Sequence, residues 1–182
     1  MRIIAGQWRG RPLAAPPGDS TRPTSDRARE GLFSMLASRL GSFEELRVAD
    51  LFAGTGALGL EALSRGAGHC TFIERDRTAL AAIERNIARL DAGARSEVRA
   101  GAVERAPPPS DPFDLVFMDP PYGEGLAQAA LDRVVRDGWI GSGGWISVEK
   151  GPEALQLPQG LAIAAERRFG KARLLLLRRG EP

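Results

Sequence analysis

The sequence contains one cysteine and one histidine, Cys70 and His69. A single thiol closes no internal disulfide and one imidazole beside it builds no zinc site, so disulfide and metal chemistry are not expected. No run of about eighteen apolar residues exists to cross a bilayer as a helix. The opening Met1-Arg2-Ile3-Ile4-Ala5-Gly6-Gln7-Trp8-Arg9 breaks its apolar run too early for a secretory signal, and a cytoplasmic location is expected. Repeats and low-complexity tracts are absent. Aromatic residues make up 6% of the chain, with a single tyrosine, Tyr122. Net charge is also low, at +2, so any attraction to a polyanion must come from how the charges are distributed.

That distribution is uneven. Arg2, Arg9 and Arg11 precede the first acid, Asp19, while Arg167, Arg168, Lys171, Arg173, Arg178 and Arg179 crowd the other end. The planar guanidinium fork suits phosphate oxygens, although a solvated face carries such residues equally well. The length of 182 residues suits one domain with short appendages. Residues 1–44 read as a basic extension and residues 45–182 as the main domain.

Within the extension, Ile3-Ile4-Ala5 and Arg11-Pro12-Leu13-Ala14 flank Gly6 and Gly10 as a small hairpin that ends at Pro16-Pro17-Gly18. Ala28, Leu32, Leu36 and Leu40, with Phe33 beside them, then give an amphipathic helix. From Arg47 short apolar runs alternate with helical stretches, the pattern of βαβ units on a parallel sheet. The runs are Val48 to Phe52, Cys70 to Ile73, a weak one near Val98, Phe113 to Met118, and Trp145 to Val148. Stripes at Leu80, Ile83, Ile87, Leu90 and at Leu126, Ala130, Val134 mark helices between them. Pro107-Pro108-Pro109 reads as a surface loop. Leu161 to Ala164 and Leu174 to Leu177, joined through Phe169-Gly170-Lys171, predict an antiparallel hairpin on one edge of the sheet.

The first strand runs through Asp50, Phe52, Ala53, Gly54, Thr55 and Gly56 into Gly59 and a helix. Glycine at 54 and 56 permits a sharp turn and a close approach by a ligand. Glu74 ends the next strand 20 residues after Gly54, where a carboxylate can accept ribose hydroxyls. Together these residues suit an adenosine moiety. Gly54, Gly56 and Gly59 also match the dinucleotide fingerprint, but no His, Tyr-Lys pair or substrate domain for hydride transfer accompanies it. Asp50 suits the cationic amino-acid end of S-adenosylmethionine.

The fourth strand ends in Asp119-Pro120-Pro121-Tyr122, at the carboxyl edge where open α/β sheets bind ligands. An amino group on an aromatic ring is a weak nucleophile because its lone pair is delocalised. The Asp119 carboxylate and the Pro120 carbonyl can each accept a hydrogen bond from such a group and turn its lone pair outward. Tyr122 offers a face for an unstacked base. The residues therefore point to methyl transfer from S-adenosylmethionine to a base amino group. A non-catalytic RNA-binding module would need neither Asp119 nor Glu74.

These segments resemble the bacterial RsmD family over nearly the whole chain. The likeness rests on Arg2-Ile3-Ile4-Ala5-Gly6 with Arg9-Gly10-Arg11, on Thr21-Arg22-Pro23-Thr24 with Asp26-Arg27 and Arg29-Glu30, and on Asp50 to Gly56. Asp119 to Tyr122 and Phe169-Gly170-Lys171 complete it. The resemblance implies a Rossmann-like class I methyltransferase with a seven-stranded, mostly parallel sheet, acting on the N2 amino group of guanine 966 in small-subunit 16S rRNA, free or in the subunit. It further implies cofactor contacts from Gly54, Gly56 and Glu74, amine contacts from Asp119, Pro120 and Tyr122, and RNA contacts from Arg9, Arg11 and Arg22. Where many class I enzymes hold an acid against the adenine, this chain has Ala100-Gly101-Ala102, so adenine recognition at Ala102 is expected from backbone. The Asp-Pro-Pro-Tyr signature equally serves adenine-N6 methylation of RNA or DNA, which stays open here. DNA is disfavoured because little chain remains to read a duplex groove.

Overall fold

The computed structural model describes residues 1–16, 26–123, 125–169 and 172–180. Strands buried on both faces carry unbroken apolar runs, and β1 (Arg47–Leu51) and β4 (Phe113–Met118) are such strands. In β4 only Asp114 is exposed, and its carboxylate accepts the Arg47 N–H at 2.8 Å, which ties the two strand starts together. Between them in sequence lie α2 (Ala57–Ser64), β2 (His69–Glu74), α3 (Arg77–Leu90) and β3 (Ser96–Ala100). After β4 come α4 (Leu126–Arg136), β5 (Ile140–Lys150), β6 (Leu161–Phe169) and β7 (Ala172–Arg179), and α1 (Asp26–Leu40) precedes them all.

The strands form one seven-stranded sheet in the order β3-β2-β1-β4-β5-β7-β6. All pairings are parallel except those of β7, which runs antiparallel to β5 and β6. The expected hairpin is therefore present, with β7 inserted between β5 and the edge strand β6; the turn residues Gly170 and Lys171 lie outside the described residues. The order changes direction between β1 and β4, and such a switch point opens a crevice beyond the carboxyl ends of the two strands. There Leu51 is level with Met118, so Phe52 and Asp119 leave the sheet side by side.

Strands β6 and β7 run longer than their apolar runs, and β5 and the buried face of α3 also differ from the sequence pattern. Strand β5 begins at Ile140, ahead of the apolar run at Trp145. Its first part is glycine-rich and bulged, with the register passing from Phe113↔Ile140 to Leu115↔Trp145 and Gly143 at φ +71°. Glycines carry no side chain, so hydropathy does not register them as strand. In α3 the buried face runs through Ala79, Ala82, Ile83, Asn86 and Leu90, leaving Leu80 and Ile87 half-buried. The centre of that face is polar because Asn86 works as a bracket. Its side-chain amide donates to the carbonyls of Ala14 and Thr55, both at 3.0 Å, and its oxygen accepts the Ala14 N–H at 2.7 Å.

The N-terminal segment makes the small hairpin, with an Arg2↔Pro12 bridge and backbone bonds from Ile3 to Arg11 and from Gly10 to Ile3. It is bound tightly to α2. The fully buried Glu61 carboxylate accepts the N–H groups of Ile4 at 2.8 Å and Ala5 at 3.0 Å, and Arg65 pairs with it at 2.9 Å. Ser64 accepts the Trp8 N–H and donates to the Ala5 carbonyl. Gly6 lies so close that a Cβ would come 1.9 Å from the Ser64 carbonyl oxygen. Ile3 and Leu13 join Leu32, Phe33 and Leu36 of α1 in one apolar cluster with Val48, Leu60, Phe72 and Phe117. Hydrogen bonds to charged groups contribute about 1.5–3 kcal/mol each, so a few polar groups fix this segment to α2 and α3.

Candidate active site

A cleft of about 830 Å³ opens over the carboxyl ends of β1, β2 and β4. Every residue singled out from sequence for cofactor or amine lines it except Gly56: Asp50, Phe52, Ala53, Gly54, Thr55, Glu74 and Ala102 on one side, Asp119, Pro120, Pro121 and Tyr122 on the other. Local backbone chemistry explains the loop after β1. Phe52, Gly54 and Gly56 all have positive φ, at 62°, 58° and 77°. A Cβ on Gly54 would meet nothing within 4 Å, so the cleft passes directly over its backbone. Gly56 differs. A Cβ there would meet Phe72 at 3.3 Å and Leu60 at 3.4 Å, so this glycine turns the chain into α2 and faces the core, away from the cleft. At Gly59 a Cβ would come 2.4 Å from Phe72, which makes it a helix-to-sheet packing position.

Glu74 is held by three backbone N–H groups, those of Gly54, Arg75 and Asp76, each at 2.8 Å. A carboxylate has about four lone-pair sites, so the group is locked in place and retains roughly one acceptor site toward the cleft. The same contact ties the glycine loop to the end of β2. Asp50 is 1% exposed and accepts the Gly59 N–H at 2.9 Å. Burial pushes its carboxyl well above the usual carboxylate range, and the negative charges of Asp119 and Glu74 push the same way against the Gly59 hydrogen bond.

The cleft as a whole is acidic. Residues with acidic side chains, Asp50, Glu74, Asp76, Glu104, Asp119 and Glu149, line it against residues with cationic side chains, Arg29 and Arg75. Such a lining favours a cationic ligand and repels a pyrophosphate. The Asp50 carboxylate also occupies an N–H of the first turn of α2, where a dinucleotide would seat its phosphates. Both features disfavour the dinucleotide reading.

On the opposite wall Asp119 is half-buried and Tyr122 is 37% exposed, its ring at the rim. The Tyr122 hydroxyl donates to Glu149 Oε1 at 2.7 Å. Sequence reasoning missed Glu149, yet it follows the apolar run of β5 as Asp119 follows that of β4, and the same carboxyl-edge rule finds it. Arg29 was also missed as a cleft residue. It opens an i, i+3, i+4, i+7 stripe with Leu32, Phe33 and Leu36, where a cation on a buried face is itself a signal. Arg9 and Arg11 are exposed on the hairpin, outside the cleft, and Arg22 lies outside the described residues. Among the described residues no cluster fit to hold a metal ion is found, and no helix is long and apolar enough to cross a membrane.

Comparison with known proteins identifies the family. Ribosomal RNA small subunit methyltransferase D of Escherichia coli strain K12 is 42% identical over 149 residues, covering 82% of this chain and 74% of its own. The Haemophilus influenzae protein of the same name is 34% identical over 175 residues, covering 93% and 89%. A solved Escherichia coli chain named as a methyltransferase superimposes with a TM-score of 0.89 at 37% identity, covering 100% of this chain and 99% of that one. The family model described as Conserved hypothetical protein 95 matches residues 1–178. The chain belongs to that family, the RsmD family of ribosomal RNA small-subunit methyltransferases.

Proposed function

We propose that the protein transfers a methyl group from S-adenosylmethionine to the exocyclic N2 amino group of a guanine in 16S ribosomal RNA, the family site being guanine 966. The observation that carries this reading is the acidic cleft that sets Asp119-Pro120-Pro121-Tyr122 across from the Gly54 loop and Glu74. S-adenosylmethionine would supply an electrophilic methyl group on a sulfonium centre. Glu74 would accept a ribose hydroxyl, the backbone near Ala102 would meet the adenine, and Asp50 would face the ammonium end. The carboxylates around the cleft favour a ligand with both a sulfonium and an ammonium charge.

On the acceptor side, the Asp119 carboxylate and the Pro120 carbonyl would each take a hydrogen bond from the amine. This aims the lone pair and stabilises the positive charge that develops on nitrogen, so no strong base is needed. Tyr122 would stack on the flipped base, its ring angle fixed through Glu149. Arg9 and Arg11, exposed on the bracketed hairpin, would meet RNA phosphates. The relatives' names support ribosomal RNA of the small subunit as substrate.

The test is to supply labelled S-adenosylmethionine with small ribosomal subunits, free 16S rRNA and DNA, and to digest the products to nucleosides. N2-methylguanosine from the subunit or the rRNA is expected. N6-methyladenosine, or label found in DNA alone, would overturn the assignment.

A further inference from the structure

Arg29 is the least exposed charged group facing the cleft. Its side chain is 0% exposed, it lines the cavity, and it reaches there from the first turn of α1. Nη2 donates to the Arg2 carbonyl and to Asp26 Oδ1, the latter at 2.9 Å. Nε and Nη1 are buried and have no hydrogen-bond partner among the described residues. They present three N–H donors with no acceptor. Burial lowers the Arg29 pKa, the Arg65 charge adds to that, and Asp26 and Glu61 offset it only in part. Leaving donors of a buried cation unmet is costly, and an anion arriving in the cleft would relieve that cost.

We infer that Arg29 receives the carboxylate of the methionine moiety of S-adenosylmethionine, opposite Asp50 at the ammonium, so that the cleft grips both charges of the cofactor's amino-acid end. This rests on the cofactor reading given above. Position supports it. The Arg2 carbonyl holds Arg29, and the adjacent Met1 packs its sulfur 3.8 Å from the Thr55 hydroxyl, so Arg29 stands near the glycine loop. A ligand with its ribose at Glu74 and its other end lying past that loop would come within reach of Arg29. Chemistry supports it too. An RNA phosphate would have to pass a ring of carboxylates, whereas a zwitterion brings its own compensating charge. The close docking of the N-terminal segment through Glu61, Ser64 and Asn86 then acquires a reason, since that segment supplies the carbonyl that aims Arg29.

The experiment compares two ligands by calorimetry. S-adenosylhomocysteine carries the amino-acid end; 5′-methylthioadenosine shares the adenosine and thioether and lacks it. In Arg29→Gln the affinity for S-adenosylhomocysteine should fall about 10- to 100-fold while that for methylthioadenosine stays within about twofold. Arg29→Lys, which keeps the charge, should fall between the two; if the Gln variant fails to melt cooperatively, the Lys variant is read alone by the same ratio. Equal losses for both ligands, or no loss for either, would overturn the assignment. Unchanged S-adenosylhomocysteine binding with weakened rRNA binding would also overturn it, moving the guanidinium to a phosphate. A wild-type protein that binds neither ligand would remove the cofactor reading itself, an outcome distinct from failure of Arg29.

Discussion

The two walls of the cleft are built differently. On the β1–β2 wall the polar groups are locked: Glu74 takes three backbone N–H groups and Asp50 is buried against Gly59. On the β4–β5 wall Asp119 is half-buried and Tyr122 stands at the rim, its hydroxyl donating to Glu149. A wall held rigid by backbone hydrogen bonds suits a small ligand that is the same in every turnover. A more open wall suits a group that must enter from a large polymer and leave again. If this division is correct, substitutions on the two walls should separate binding from turnover.

The strongest separation is expected at Asp119. Asp119→Ala should lower single-turnover methyl transfer by roughly 100- to 1,000-fold, while S-adenosylhomocysteine affinity measured by calorimetry stays within about threefold. Glu74→Gln should do the reverse, weakening that affinity about 10- to 100-fold with the rate at saturating cofactor nearly unchanged. Loss of turnover at saturation in the Glu74 variant would merge the two walls into one.

Asp50→Asn tests the cost of the locked wall. The folded-state pKa of Asp50 is raised, so its stabilising contribution is complete below the ordinary carboxylate value, near 4, and is lost as pH rises through the raised value. At neutral pH Asn at this position should therefore raise the melting temperature of the ligand-free protein, by about 2–4 °C for each kcal/mol recovered, and weaken cofactor binding about tenfold. The thermal gain should vanish below about pH 4. A variant no more stable at pH 7 would show that the buried carboxylate is already compensated.

Tyr122→Phe keeps the ring and removes the bond to Glu149, so transfer to rRNA should slow only about two- to tenfold. Tyr122→Ala removes the stacking face and should cost more, through the KM for RNA. Reversing charge at Arg9 and Arg11, outside both walls, should leave cofactor affinity untouched and flatten the salt dependence of RNA binding by about two phosphate contacts. An unchanged slope would take the hairpin out of the interface.

Much of this was legible in the sequence because its signals are local. Apolar runs marked β1, β2, β4 and the core of β5, and the carboxyl-edge rule placed Asp50, Glu74 and Asp119 around one crevice. Three features were hidden. Gly56 looks like Gly54 in sequence, but only coordinates show that its missing Cβ would face Phe72 while that of Gly54 would face the open cleft. Asn86 interrupts an apolar stripe, and its reason lies 72 residues away at Ala14. Arg29 stands out on the apolar stripe of α1, but its place in the cleft and its unmet donors do not show in the sequence. Each depends on a contact distant in sequence, which periodicity does not encode.

The most direct test of the two-wall account is a crystal structure of the protein with S-adenosylhomocysteine bound. The account predicts a ribose hydroxyl within about 2.5–3.2 Å of Glu74, and the ligand sulfur facing open space beside Asp119 and Tyr122. A ligand whose ribose lies away from Glu74, or whose adenine fills the space next to Asp119, would contradict it.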